Sequence, residues 1–310
     1  TQNDTVGKAG MEQYYETYLR GKNGERKFYI DNVGRISEII SSTDSVAGDD
    51  LYLSIDADLQ MATYLALQNE IAAIVYSNIK SGEIPINDVY TALIGNSVIN
   101  TEHFSKSKAS DTEKSVLSVF KSRQKTTLGK IKQELTNSPE ALNTMSDEVL
   151  DEFTYIISML KDDQVLLKNE IDTSDSVYQK WKDQKISPKE YLNYCITQHW
   201  IDISQLNVDE KYADSTEVYD ALCKYILKNI KTDTEFSKII YQYMITRGEI
   251  SPRQLCLILF DQGVLDYDDA TVNKLKNGSL SPRDFLMKKI YNIEITPAQL
   301  ALEPCTGSCV

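Results

Sequence analysis

One short pattern recurs four times between residues 187 and 299, and it narrows what the chain can fold into. It reads Ser187-Pro188-Lys189-Glu190, Ser251-Pro252-Arg253-Gln254, Ser281-Pro282-Arg283-Asp284 and Thr296-Pro297-Ala298-Gln299. The hydroxyl side chain can accept the free N–H groups of a first helical turn. Proline lacks an N–H and suits the first helical position. The acid or amide three residues after the cap can reach back to the cap's own N–H. Apolar residues follow, among them Tyr191-Leu192 and Phe285-Leu286. Starts this close together predict short helices, about three or four turns each, packed as a compact array.

A second similarity runs through the same region. Ala92-Leu93-Ile94 precedes Val98-Ile99-Asn100, Tyr194-Cys195-Ile196 precedes Trp200-Ile201-Asp202, and Leu257-Ile258-Leu259 precedes Val264-Leu265-Asp266. This is either a degenerate repeat or the common grammar of helical hairpins; the irregular period favours the hairpin reading. Upstream, Ser110 and Glu113 form a capping box ahead of Leu117, Phe120, Leu128, Ile131 and Leu135. Leu150, Phe153, Ile157 and Leu160 mark a further helix.

Strand signals are confined to the first third. Residues 7–21 read as a helix stopped by Gly21, with Tyr14, Tyr15, Tyr18 and Leu19 at helical spacing. Arg26–Asp31 and Arg35–Ile39 are β-prone around a turn at Asn32-Val33-Gly34, and Leu51–Ile55 is a third strand candidate. Asp56 caps a long helix with an apolar stripe of Leu59, Ala62, Ala66, Ile71, Ile74 and Val75. The expected fold class is α+β and mostly α: a small antiparallel strand element near the N-terminus, then a multi-helix domain.

The 310 residues carry a net charge of -13, which disfavours nucleic acid and anionic membrane surfaces as partners. No stretch approaches the roughly 18 apolar residues of a membrane span. Neither end has the look of a natural terminus, so the chain reads as an excised piece. Of the five cysteines, Cys195, Cys223 and Cys256 fall in apolar helical patterns and read as buried thiols. Cys305 and Cys309 flank Thr306-Gly307-Ser308 and are a candidate disulfide in an oxidising compartment.

Signatures of catalysis are weak. There is no phosphate loop, no Cys-x-x-Cys pair, and only His103 and His199 to serve a metal or a nucleophile, so no metal or cofactor is implied. Asp266, Asp268 and Asp269 lack the glycine and closing Glu of a calcium loop and read as helix starts. The strings Ser105–Lys108 and Ser118–Lys121 have the form Ser-x-x-Lys without a Lys-Thr-Gly partner. An unrelated enzyme built on either histidine remains an alternative class.

The informative motifs are N-terminal. Gly7-Lys8-Ala9-Gly10-Met11-Glu12-Gln13-Tyr14-Tyr15 leads into Leu19-Arg20-Gly21-Lys22-Asn23-Gly24. Gly48-Asp49-Asp50-Leu51 then leads to Ser54-Ile55-Asp56 and Leu59-Gln60. Their order and spacing resemble the pedestal, or dimerisation, region of class B penicillin-binding proteins, over roughly residues 7–75. The family residues are Gly7, Gly10, Glu12, Tyr15, Leu19, Arg20, Gly21, Gly24, Gly48, Asp49, Ile55, Asp56, Leu59 and Gln60. The resemblance implies a partial pedestal at 1–82, an all-helical insertion at 83–301, and at 302–310 an approach to a transpeptidase domain beyond Val310. The pedestal's opening strand would precede Thr1. The implied role is non-catalytic: positioning a D,D-transpeptidase for peptidoglycan cross-linking, with no active site in this chain. Its implied partners are its own transpeptidase domain and other cell-wall synthesis proteins. The parent would sit at the outer face of the bacterial membrane, held by an anchor outside this chain. The alternative is a helical docking module for another cell-wall or division protein.

Overall fold

A computed structural model describes residues 6–32, 35–137, 140–208 and 213–302. The candidate disulfide Cys305–Cys309, the approach segment from 303 onward, and the core of the expected turn at Val33-Gly34 lie outside the described residues. The chain divides into two compact units, Thr1–Thr63 and Tyr64–Val310.

In the first unit the expected helix over 7–21 is two short ones, α1 (Gly10–Tyr14) and α2 (Glu16–Leu19). They are interrupted at Tyr15, whose backbone leaves helical geometry at φ -101°, ψ 14°. Strands β1 (Glu25–Ile30) and β2 (Ile36–Thr43) pair antiparallel, with Phe28 opposite Ile39. Leu51–Ile55 is not a strand, which corrects the third candidate; no ladder partner pairs with it among the described residues.

Helix α3 (Ala57–Ser81) begins at Asp56, whose Oδ1 accepts the N–H groups of Asp58 and Leu59, each at 3.0 Å. The predicted apolar stripe holds only at its C-terminal end, where Val75 is buried and Ile71 packs against the core. Leu59 is 67% exposed and Ile74 40%, and the buried face is Ala72, Val75 and Ile79. Elsewhere stripe assignment failed because both faces of this helix carry apolar residues, so periodicity could not choose between them.

Apart from one antiparallel bridge between Leu166 and Ile201, everything from Gly82 onward that is described is helix, 3-10 turn or loop. The remaining helices are α4 (Ile86–Gly95), α5 (Asp111–Asn137), α6 (Asp147–Asp162), α7 (Ser176–Lys182), α8 (Pro188–Thr197), α9 (Ser215–Ile230), α10 (Thr234–Thr246), α11 (Pro252–Asp261), α12 (Asp269–Asn277) and α13 (Pro282–Tyr291). One continuous core joins them. Tyr241 of α10 stacks on Phe120 of α5 at 4.1 Å between ring centroids and meets Phe104 edge-on. Trp181 of α7 stacks on Tyr191 of α8 at 4.5 Å. Cys195 and Cys256 are buried thiols, as read, and Cys223 is half-buried.

The serine–proline starts behave as chemistry requires. Ser187, Ser251 and Ser281 each accept the N–H three residues on, and α8, α11 and α13 are ten residues each. At Thr296 both capping-box bonds form, but the chain makes only a turn there.

The faint similarity is a shared helix end, and the same end closes α6 and α10 outside it, where Gln164 and Gly248 are at positive φ with buried Leu166 and Ile250 two residues on, as the common grammar of helical hairpins has it. Residues 85–100, 187–202, 251–266 and 281–296 align without a gap. In each, a ten-residue helix ends in a residue at positive φ: Ser97, His199, Gly263 and Ile293. The N–H of that residue bonds three residues back in all four, at 3.0 to 3.1 Å. Two residues on, Ile99, Ile201, Leu265 and Ile295 are buried. This is a helix C-terminal motif in which a left-handed residue turns the chain and an apolar side chain staples it.

Candidate interaction site

The motif glycines of the first unit lie where backbone crosses backbone. Gly21 has φ +66°, and a Cβ there would stand 2.4 Å from the Val46 carbonyl oxygen. Gly48 is tighter still: a Cβ would fall 1.9 Å from the Leu19 carbonyl oxygen. Real Cβ atoms never approach so closely, so the crossing requires glycine. Around it, Lys22 and Val46 exchange both backbone hydrogen bonds at 2.8 and 2.9 Å, and the Asp49 N–H donates to the Tyr18 carbonyl at 2.8 Å. Gly24 packs on the Thr43–Ser45 backbone, where a Cβ would stand 2.8 Å from the Thr43 carbonyl oxygen. The two motifs Leu19-Arg20-Gly21-Lys22-Asn23-Gly24 and Gly48-Asp49 are therefore two sides of one crossing.

Gly7 and Gly10 serve the start of α1. The Gly7 N–H donates to Glu16 Oε2 at 2.8 Å, and a Cβ on Gly7 would meet the Glu12 carbonyl. Gly10 holds φ +58°. The clasp residue is Glu16, which motif reasoning missed in favour of the exposed Glu12. No sequence signal links residues 7 and 16, because the bond depends on the break at Tyr15. Tyr14 and Tyr15 meet edge-on and Tyr15 and Tyr18 are tilted, with Tyr14 76% exposed. Ile55, Leu59 and Gln60 are exposed, and Asp56 acts as the cap of α3.

The strand pair leaves apolar side chains uncovered: Phe28, Ile30, Ile36, Ile39 and Ile40 are all exposed, with Phe28 opposite Ile39, Ile30 opposite Ile36, and Ile40 at a bulge.

The helical unit holds two buried polar networks, both structural in geometry. Glu113 joins His103 Nδ1 at 2.7 Å, Gln262 Nε2 at 2.8 Å and the Ser110 N–H at 2.7 Å. Burial pushes its carboxyl up, but these hydrogen bonds outweigh burial and hold it below the usual range. Glu148 is gripped by Arg123 at 2.7 and 2.9 Å and by Arg247 at 2.6 Å. Beside it, Glu152 is buried with Oε1 unpartnered; burial and then the Glu148 charge push its carboxyl up to about 8. Ser105 and Ser118 sit on exposed surface, and Ser105 Oγ donates to the Glu102 carbonyl. Among the described residues no group of three or more His, Cys, Asp or Glu could hold a metal ion, and no helix is long and apolar enough to cross a membrane.

This close-crossed glycine framework coincides with a known domain. The family model of the penicillin-binding protein dimerisation domain matches residues 1–53, so the N-terminal stretch is a penicillin-binding protein pedestal region, as its motifs implied. Among named relatives, the Escherichia coli K12 protein "Peptidoglycan D,D-transpeptidase FtsI" is 35% identical over 114 residues, covering 37% of this chain and 19% of the relative. The Salmonella typhimurium LT2 protein "Peptidoglycan D,D-transpeptidase MrdA" is 33% identical over 79 residues, covering 26% of this chain and 13% of the relative. "Penicillin-binding protein 3" of Bacillus subtilis 168 is 39% identical over 85 residues, covering 27% and 12%. The chain thus matches a fifth or less of the length of these relatives. No solved structure matches.

Proposed function

We propose that this chain is the non-catalytic pedestal and interaction region of a class B penicillin-binding protein. It positions a D,D-transpeptidase domain for peptidoglycan cross-linking at the outer face of the bacterial membrane. The observation that carries this reading is the coincidence of the dimerisation-domain match with the glycine crossing at residues 1–53. In this reading residues 1–82 are the pedestal part, 83–301 a helical insertion and 302–310 the approach to the transpeptidase domain. Gly21, Gly24 and Gly48 fix the crossing, Gly7 and Gly10 set α1, and Asp56 starts α3. The uncovered apolar residues of β1 and β2 supply contact surface for the rest of the pedestal or for other wall-synthesis proteins. Such work calls for packed helices and contact area rather than a tuned acid and base. The coding sequence past Val310 tests the assignment. A transpeptidase domain bearing Ser-x-x-Lys, Ser-x-Asn and Lys-Thr-Gly is expected there, and its absence overturns the reading.

A further inference from the structure

The helical unit carries a groove whose charge runs against that of the whole chain. It lies where the C-terminal half of α5 meets α8 and α9, and it encloses about 580 Å³. Its floor is apolar: Leu135 is fully buried, Tyr219 lies against it with its hydroxyl donating to the Leu135 carbonyl at 2.6 Å, and Leu227 continues the surface. Lys132, Lys189 and Lys224 line it, opposed by the single carboxylate Asp220. The local balance is three positive charges against one, on a chain of net charge -13.

None of these three lysines is paired with a carboxylate among the described residues. Lys189 Nζ donates instead to the Thr136 carbonyl at 2.6 Å, at the last turn of α5, where a cation complements the helix dipole. Lys132 and Lys224 are exposed on either side with their charge uncommitted. An apolar floor selects apolar side chains, and a cationic rim on an acidic protein selects carboxylates and repels further cations. Half-buried Cys223 also lines the groove, but burial pushes its thiol up to about 11, so it serves as floor and not as a nucleophile.

We infer that this groove binds an acidic amphipathic segment of a partner protein, carboxylates to Lys132, Lys189 and Lys224 and apolar side chains to Leu227 and half-buried Cys223, above the buried Leu135 and Tyr219. The inference stands on the groove alone and holds whether or not the pedestal reading does.

The test uses the full 310-residue chain and a fluorescein-labelled peptide of alternating Glu and Leu, read by fluorescence anisotropy. The acidic peptide binds, and added salt weakens it. K132E/K224E lowers affinity about tenfold, the loss expected for two exposed ion pairs turned repulsive. K132Q/K224Q lowers it less. K274E/K276E, on α12 away from the groove and with the same change in net charge as K132E/K224E, leaves it unchanged. The inference is overturned by an unbound wild type, by equal binding of a Lys-Leu peptide, or by equal loss in the two reversed pairs. It is also overturned if phosphatidylglycerol vesicles, and not the peptide, bind in a Lys132- and Lys224-dependent way.

Discussion

Glu152 is buried to 1% exposure beside another carboxylate, and its folded-state affinity for protons is raised from the ordinary 4.5 to about 8. A carboxyl raised in this way leaves stability intact while it stays protonated in both states. Stability then falls as pH rises from about 4.5 to about 8, because only the unfolded chain ionises freely. Each pKa unit is worth about 1.4 kcal/mol, so the loss reaches several kcal/mol. Glu152→Gln removes this dependence: at pH 9 the variant melts above the wild type, and below pH 4.5 the two converge. Comparing them isolates Glu152 from Glu113, whose lowered affinity acts in the opposite direction, with stability lost as pH falls. The glycines make the second residue-scale case. Gly48→Ala forces a Cβ toward the Leu19 carbonyl, and hydrogen exchange at the Lys22 and Asp49 amides should speed up by at least tenfold, about 1.4 kcal/mol. Gly82→Ala, where no atom lies near and only φ is strained, leaves those amides unchanged.

At the scale of the element, capping explains most of what could be read in advance. Ser187, Ser251 and Ser281 start helices where their Ser-Pro pattern says, because that signal is local: one hydroxyl, one missing N–H, one reciprocal side chain. Ser251→Ala should cost about 1 kcal/mol in a thermal melt. The shared helix end was harder to read. Its turning residue is Ser97, His199, Gly263 or Ile293, and only the glycine announces a left-handed turn. The tertiary fold imposes that conformation on the others, so the shared geometry leaves no shared letter. The extent of the α3 stripe was misread for a related reason, since burial of Ala72, Val75 and Ile79 depends on what packs against them. The clasp between Gly7 and Glu16 and the grip of Arg123 and Arg247 on Glu148 are non-local and left no pattern in sequence. Glu148→Ala strands Arg247 and leaves the nearly buried Arg123 with only Glu249, 3.7 Å away, and should cost roughly 3 kcal/mol.

On the scale of the whole molecule, the two compact units differ in how they hold together. The unit from Tyr64 onward closes a continuous core of its own. The unit before it is organised by backbone crossings and leaves its apolar strand residues uncovered. The family resemblance was legible because glycine at a backbone crossing is a local necessity, written in the sequence as Gly21, Gly24 and Gly48. The helical unit carries no such family letters, and its groove at α5, α8 and α9 emerges only when residues 132, 189 and 224 are brought together. The central claim, a non-catalytic pedestal serving a transpeptidase, is tested most directly with a fluorescent β-lactam. The account predicts that residues 1–310 alone stay unlabelled while the longer protein containing them is acylated at a serine outside this span. Covalent labelling of any serine within residues 1–310 contradicts it.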